Sequence, residues 1–129
     1  MRLLHTSDWH LGMTFRGGIT FAPDQKYAID NIIRIAREEK AEGILISGDV
    51  FDKSIAGPEA LKLYDHYITY ICAELQIPVF IIAGNHDGAE RLSQLKDLLK
   101  NSGLFVAGSV TRDPIVVNRG DVDIYLLPW

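Results

Sequence analysis

The apolar run Val79-Phe80-Ile81-Ile82 passes directly into Ala83-Gly84-Asn85-His86-Asp87. Four consecutive apolar residues read as a strand buried on both faces of a parallel sheet, with Gly84 as the turn leaving its carboxyl end. Parallel strands need a crossover connection, usually a helix, so this stretch points to an α/β chain. Its loop then lies at the carboxyl edge of the sheet, where open α/β sheets bind ligands. An amide, an imidazole and a carboxylate in succession there can reach a metal or a phosphate. The same residues suit an Asx turn, and taken alone the stretch leaves both readings open.

Two further stretches repeat the pattern. Arg2-Leu3-Leu4-His5-Thr6-Ser7 reads as a first strand, followed at once by Asp8, Trp9 and His10 and then Leu11-Gly12. Asp-x-His at a strand end puts a carboxylate and an imidazole within reach of one cation, suited to Mn, Fe or Zn. His5, inside the strand, is expected in the core or behind the ligands. Ile44-Leu45-Ile46-Ser47 reads as a second buried strand, delivering Gly48-Asp49-Val50-Phe51-Asp52. Asp49 lies nearest the strand and is the expected metal ligand. Asp52 is further along and reads as a supporting or capping group.

Helical periodicity fills the intervals. Pro23 and Asp24 open a helix with Ala28, Ile32, Ile35 and Ala36 on its apolar face, widened by Ile29 and Ile33. A second helix starts at Gly57-Pro58-Glu59 and carries Leu61, Tyr64, Ile68, Ile71, Cys72 and Leu75 at helical spacing, with His66 off the stripe. A third is expected over 90–100, with Leu92, Leu95, Leu98 and Leu99 apolar and Asn101-Ser102-Gly103 ending it. Leu104–Ala107 is a fourth strand. Ile115–Asn118 and Val122–Leu127 flank Arg119-Gly120-Asp121 as an antiparallel hairpin. Met13–Phe21, rich in glycine and carrying Arg16, is either a flap over a substrate or a mobile connection.

The order β-α-β-α-β-α-β implies an α/β fold with a mostly parallel, right-handed, layered sheet and a C-terminal hairpin. Asp8 and His10, Asp49, and Asn85 and His86 then leave one edge of that sheet together. Their convergence favours a binuclear metal site over three unrelated loops: Asp49 bridging, Asp8 and His10 on one side, Asn85 on the other. Two cations ~3.5–4 Å apart suit in-line phosphoryl chemistry.

Composition sets limits. The 129 residues make a single domain with a real core. A net charge of -4 argues against a broad basic surface for nucleic-acid backbone, although bound cations can supply positive charge locally. The single Cys72 excludes an internal disulfide and fits a reducing, cytoplasmic setting. It lies on the second helix's apolar stripe and reads as a small buried hydrophobe. No signal-peptide core and no run of transmembrane length is present. The apolar end, Tyr125-Leu126-Leu127-Pro128-Trp129, is what a fragment of a longer protein would show.

The spaced set Asp8-x-His10, Gly48-Asp49-x-x-Asp52 and Gly84-Asn85-His86-Asp87 resembles the calcineurin-like metallophosphoesterases. Thr6-Ser7-Asp8-Trp9-His10-Leu11-Gly12, Asp24-Gln25-x-Tyr27-Ala28, Gly48-Asp49-Val50-Phe51-Asp52 and Gly84-Asn85-His86-Asp87 with Glu90-Arg91-Leu92 are closer still to the SbcD-like nuclease subunits of bacterial double-strand-break repair. The resemblance implies Asp8 and His10 on a first metal, Asp49 bridging and Asn85 on a second, most simply two Mn2+ ions. His86 would stand beside the scissile phosphate, oriented by Asp87, while Asp52, Trp9 and Arg16 would support the site or touch substrate. It further implies DNA as substrate for exonuclease and endonuclease action, and an SbcC-like coiled-coil ATPase as partner. It also implies a homodimer through helices near 58–75 and 90–100.

The pattern is incomplete. Family sites take further histidines from two later motifs, and no histidine follows His86. This chain is therefore expected to hold about half of a site, as the N-terminal portion of a nuclease domain, with weak metal binding and little or no catalysis alone. An exposed edge left by the missing half would favour dimerisation or strand exchange. The alternatives are a phosphatase or small phosphodiesterase of the same superfamily, and a non-catalytic dimerising module.

Overall fold

A computed structural model describes residues 1–129. Its elements are β1 (Leu3–Thr6), α1 (Ala22–Glu38), β2 (Gly43–Ser47), α2 (Pro58–Thr69), β3 (Val79–Ile82), α3 (Ala89–Leu92), α4 (Lys96–Leu99), β4 (Leu104–Ala107), β5 (Ile115–Arg119) and β6 (Val122–Leu126). The four short apolar strands β1 to β4 pair in sequence order, all parallel. Right-handed crossovers between strands laid down in order keep the helices on one face of such a sheet. All four carboxyl ends therefore share one edge.

Strand alternation divides the core. Ile44, Ile46, Val79, Ile81, Leu104 and Val106 face the helices and are essentially buried. Phe80 and Ala107 point to the opposite face, where Ile124 and Leu126 of the β5–β6 hairpin cover them. There Phe80 stacks on Phe105 at 5.1 Å between centroids, and the Arg119 guanidinium caps the Phe105 ring at 5.3 Å. The hairpin does not shelter His5. Against expectation it is exposed, on the edge strand β1, hydrogen-bonded through Nε2 to Ser47 Oγ at 2.8 Å.

The first two helices lie where expected, with most of the expected α2 stripe in the core and the buried stripe of α1 rotated. On α1 the core takes Ile29, Ile33 and Ala36, while Ala28 and Ile35 are exposed. Spacings i, i+4 and i+7 describe that set, and the apolar residues one position to either side blurred it. On α2, Ala60, Tyr67 and Ile68 are buried and Leu61 is exposed. Tyr67 is used as core because its hydroxyl finds Asp30 Oδ1 of α1 at 3.0 Å. A π-helical turn over Tyr70–Glu74 ends the unit, buries Cys72 and widens the last step so that Leu75 N–H donates to Tyr70 O.

The single helix expected over 90–100 does not form. The segment is α3, a break, α4 and a 3-10 turn at Lys100–Ser102. Ser93 donates through Oγ to Ala89 O at 2.8 Å, competing with continued helix. Leu95 then turns left-handed at φ 59°. Leu92 and Leu99 pack inward, whereas Leu95 and Leu98 stay exposed. The loop 13–21 is no free connection either. It closes as a small hairpin, with a Thr14–Thr20 bridge and Phe15 N–H donating to Ile19 O at 2.8 Å. No helix is long and apolar enough to cross a membrane.

Candidate metal centre at the carboxyl edge of the sheet

The loops after β1 and β2 continue the parallel ladder beyond the strands. Asp8 N–H donates to Gly48 O at 3.1 Å, His10 N–H to Asp49 O at 3.0 Å, and Leu11 N–H to Val50 O at 2.9 Å. This zipper places Asp8 and His10 against Asp49. Each of the three has left-handed backbone, at φ 55°, 44° and 53°. Asp and His tolerate that region better than most residues. Each such residue still costs on the order of 1–3 kcal/mol, a strain that gathers at functional sites.

Close packing fixes the third loop. A Cβ on Gly84 would lie 2.2 Å from Asp49 Oδ1 and 2.5 Å from Asp49 N, so only glycine fits. His86 N–H donates to Asp49 Oδ1 at 3.0 Å. Asp87, the one buried charged side chain, accepts from Val50 N–H (3.2 Å), Phe51 N–H (2.9 Å) and Gly84 N–H (2.9 Å). It therefore stitches the second and third loops together.

The expected pairing of Asp87 with the His86 ring is not made, because that carboxylate is spent on backbone donors. The ring bonds instead through Nδ1 to the backbone carbonyl of Asp52, at 2.9 Å. This bond, then the carboxylates of Asp49, Asp52 and Asp87, push the His86 pKa above its ordinary value, against a smaller opposing effect of desolvation.

Two overlapping groups of donors result. Asp8, His10 and Asp49 offer ligand atoms within 4.8 Å of one another, and so do His10, Asp52 and His86. His10 Nε2 lies 3.6 Å from Asp8 Oδ1, and Nδ1 lies 3.8 Å from Asp52 Oδ1. Carboxylates outnumber imidazoles here. This donor set of hard oxygens and borderline nitrogens fits a divalent cation. Asn85 sits exposed between Gly84 and His86 on the same loop.

Trp9 and Arg16, the other expected supporting residues, differ in exposure. Trp9 is buried in the core, its indole N–H donating to Thr6 Oγ1 at 3.1 Å, so it braces the first loop from inside and presents no face to a substrate. Arg16 is exposed at the tip of the small hairpin. Gln25 is a residue of this edge that the Asp, His and Asn motifs do not mark. Its amide donates to His10 O at 2.5 Å and so clamps the Asp-x-His turn from the first turn of α1. Only its place in the Asp24-Gln25-x-Tyr27 wording marked it; amide residues in first helical turns are otherwise unremarkable. A family model described as Metallophos, calcineurin-like phosphoesterase, matches residues 1–127.

Proposed function

The chain belongs to the calcineurin-like phosphoesterase family, and from that premise we propose that it carries the first part of a divalent-metal-dependent DNA nuclease centre. The observation that carries this reading is the meeting of Asp8, His10 and Asp49 donor atoms within 4.8 Å at one sheet edge. In the proposed site Asp8 and His10 would hold one cation, Asn85 a second, and Asp49 would serve both, with Mn2+ the simplest choice. When bound, such cations neutralise phosphate oxygens by Lewis acidity.

His86 supplies the proton. A carbonyl only accepts, so its bond to Asp52 O keeps a proton on Nδ1 and leaves Nε2 as the exchangeable nitrogen. In hydrolysis, water oxygen bonds to phosphorus as the P–O bond to the leaving sugar oxygen breaks. That oxygen takes the Nε2 proton, and a water proton passes to solvent. The raised pKa of His86 favours the charged form this step needs.

The choice of DNA over smaller esters rests on the SbcD-like wording of the motifs. The net charge of -4 is compatible with it only where cations, and not a basic face, meet the backbone. An SbcC-like ATPase partner and a homodimer through 58–75 and 90–100 belong to the same proposal, although the second segment is two short turns and not one helix. No histidine follows His86, so weak metal binding and little turnover are expected of this chain alone.

Calorimetric Mn2+ titration of the wild type and Asp49→Ala, with labelled DNA and p-nitrophenyl phosphate cleaved in parallel, tests this. Binding lost in Asp49→Ala supports the site. Cleavage of the small monoester with DNA left intact moves the reading to a phosphatase. No binding to the wild type overturns the site.

A further inference from the structure

We propose that Asp52 is a positioning residue for both histidines of this edge, its carboxylate taking the Nδ1–H of His10 while its backbone carbonyl takes that of His86. The inference rests on the cation site proposed above and adds what orients its imidazoles. His10 Nδ1 is buried and has no hydrogen-bond partner. The atom facing it is Asp52 Oδ1, at 3.8 Å. Closing by about 1 Å makes this a hydrogen bond.

A neutral imidazole carries its proton on one nitrogen and the lone pair that a cation takes on the other. An acceptor at Nδ1 sets the proton there and the lone pair on Nε2, the nitrogen 3.6 Å from Asp8 Oδ1. Carboxylates behind metal-bound histidines act in this way. The backbone of Asp52 is itself fixed, its N–H donating to Leu11 O at 3.1 Å. The two rings meet edge-on, 5.0 Å between centroids, so neither turns freely without displacing the other. One residue of the second loop thereby sets the orientation of rings from the first and third.

Two kinds of atom on one residue give the test its control. Asp52→Ala removes the acceptor for His10 and leaves the carbonyl for His86. The measurement is long-range 15N–1H correlation of the histidine rings at pH 8 in metal-free wild type, Asp52→Ala, Asp52→Asn and Asp49→Ala, with Mn2+ calorimetry on each.

The expected result is Nδ1–H on both rings in the wild type, with His10 alone losing that tautomer in Asp52→Ala and Mn2+ affinity falling roughly 10–100-fold. Asp52→Asn restores the His10 tautomer, because its side-chain oxygen still accepts. Asp49→Ala loses Mn2+ and keeps the tautomer. An Nε2–H tautomer on His10 in the wild type, or no difference between wild type and Asp52→Ala, overturns the proposal. Absence of Mn2+ binding in the wild type overturns the cation site instead, and the tautomers still decide the role of Asp52.

Discussion

Replacing Asp87 by alanine is expected to cost stability more than any other change at this edge. Its carboxylate accepts three backbone N–H groups from two loops, and it is only 8% exposed. A buried donor left without a partner costs about 1–3 kcal/mol. Three such losses are not additive, since the space vacated admits water to one or two of the donors. The desolvation cost of the lost charge is also recovered. The net expectation is about 3–5 kcal/mol, against a total of about 5–15 kcal/mol for a domain.

Asp87→Asn separates the contributions. Oδ2 serves both Val50 and Gly84, and Oδ1 serves Phe51. An amide that keeps its oxygen at the Oδ2 position retains two bonds and turns an NH2 toward the Phe51 N–H, for an expected loss of about 1.5–3 kcal/mol. Urea unfolding followed by far-UV circular dichroism reads both. With a slope of about 2 kcal/mol/M, the alanine variant's midpoint falls by about 2 M and the asparagine variant's by about 1 M. An alanine variant within about 1 kcal/mol of wild type would refute the claim that this carboxylate holds the two loops together.

Other outcomes follow from the same geometry. Gly84→Ala forces a methyl against Asp49, whose Oδ1 would lie 2.2 Å away. A loss of about 1–3 kcal/mol in urea unfolding is expected from overpacking, together with loss of Mn2+ binding by calorimetry; retained binding would count against a site organised by that contact. In the metal-free protein His86 is expected to titrate by NMR above the ordinary histidine range. Because its folded pKa is the higher, its contribution to stability is full below the unfolded value and is lost as pH rises through the folded one. A value at or below the ordinary one would contradict the bond to Asp52 O. Burial pushes the Cys72 thiol up to about 11, so the folded chain should resist iodoacetamide at pH 8 and react on unfolding; rapid alkylation of the native form would place Cys72 outside the core.

What the sequence made legible was what periodicity and turn chemistry encode. Continuous apolar runs such as Ile44–Ser47 and Val79–Ile82 named the parallel strands, and their parallel order put Asp8, His10, Asp49 and His86 on one edge. Stripe rotation on α1 was not legible, because Ala28, Ile29, Ile32, Ile33 and Ile35 offer more apolar positions than one face can bury. The broken helix after Leu92 was hidden for a related reason: leucines at helical spacing fit a helix whether or not a serine at its centre bonds back to the chain. Least legible were the partners of the polar groups.

The family resemblance implied that Asp87 orients His86, yet neighbours in a tight loop point apart, and a carboxylate beside three unpaired N–H groups is held by them. The left-handed backbone at Asp8, His10 and Asp49 had no sequence mark either, since Asp and His are only more tolerant of it. That strain explains why the loops must be tied so heavily. Three residues held in a costly conformation stay there only while the zipper between the first two loops, the Gly84 contact and the Asp87 stitch over-determine them. The buried acid is therefore as necessary to this edge as Asp8 and Asp49, although it faces the backbone.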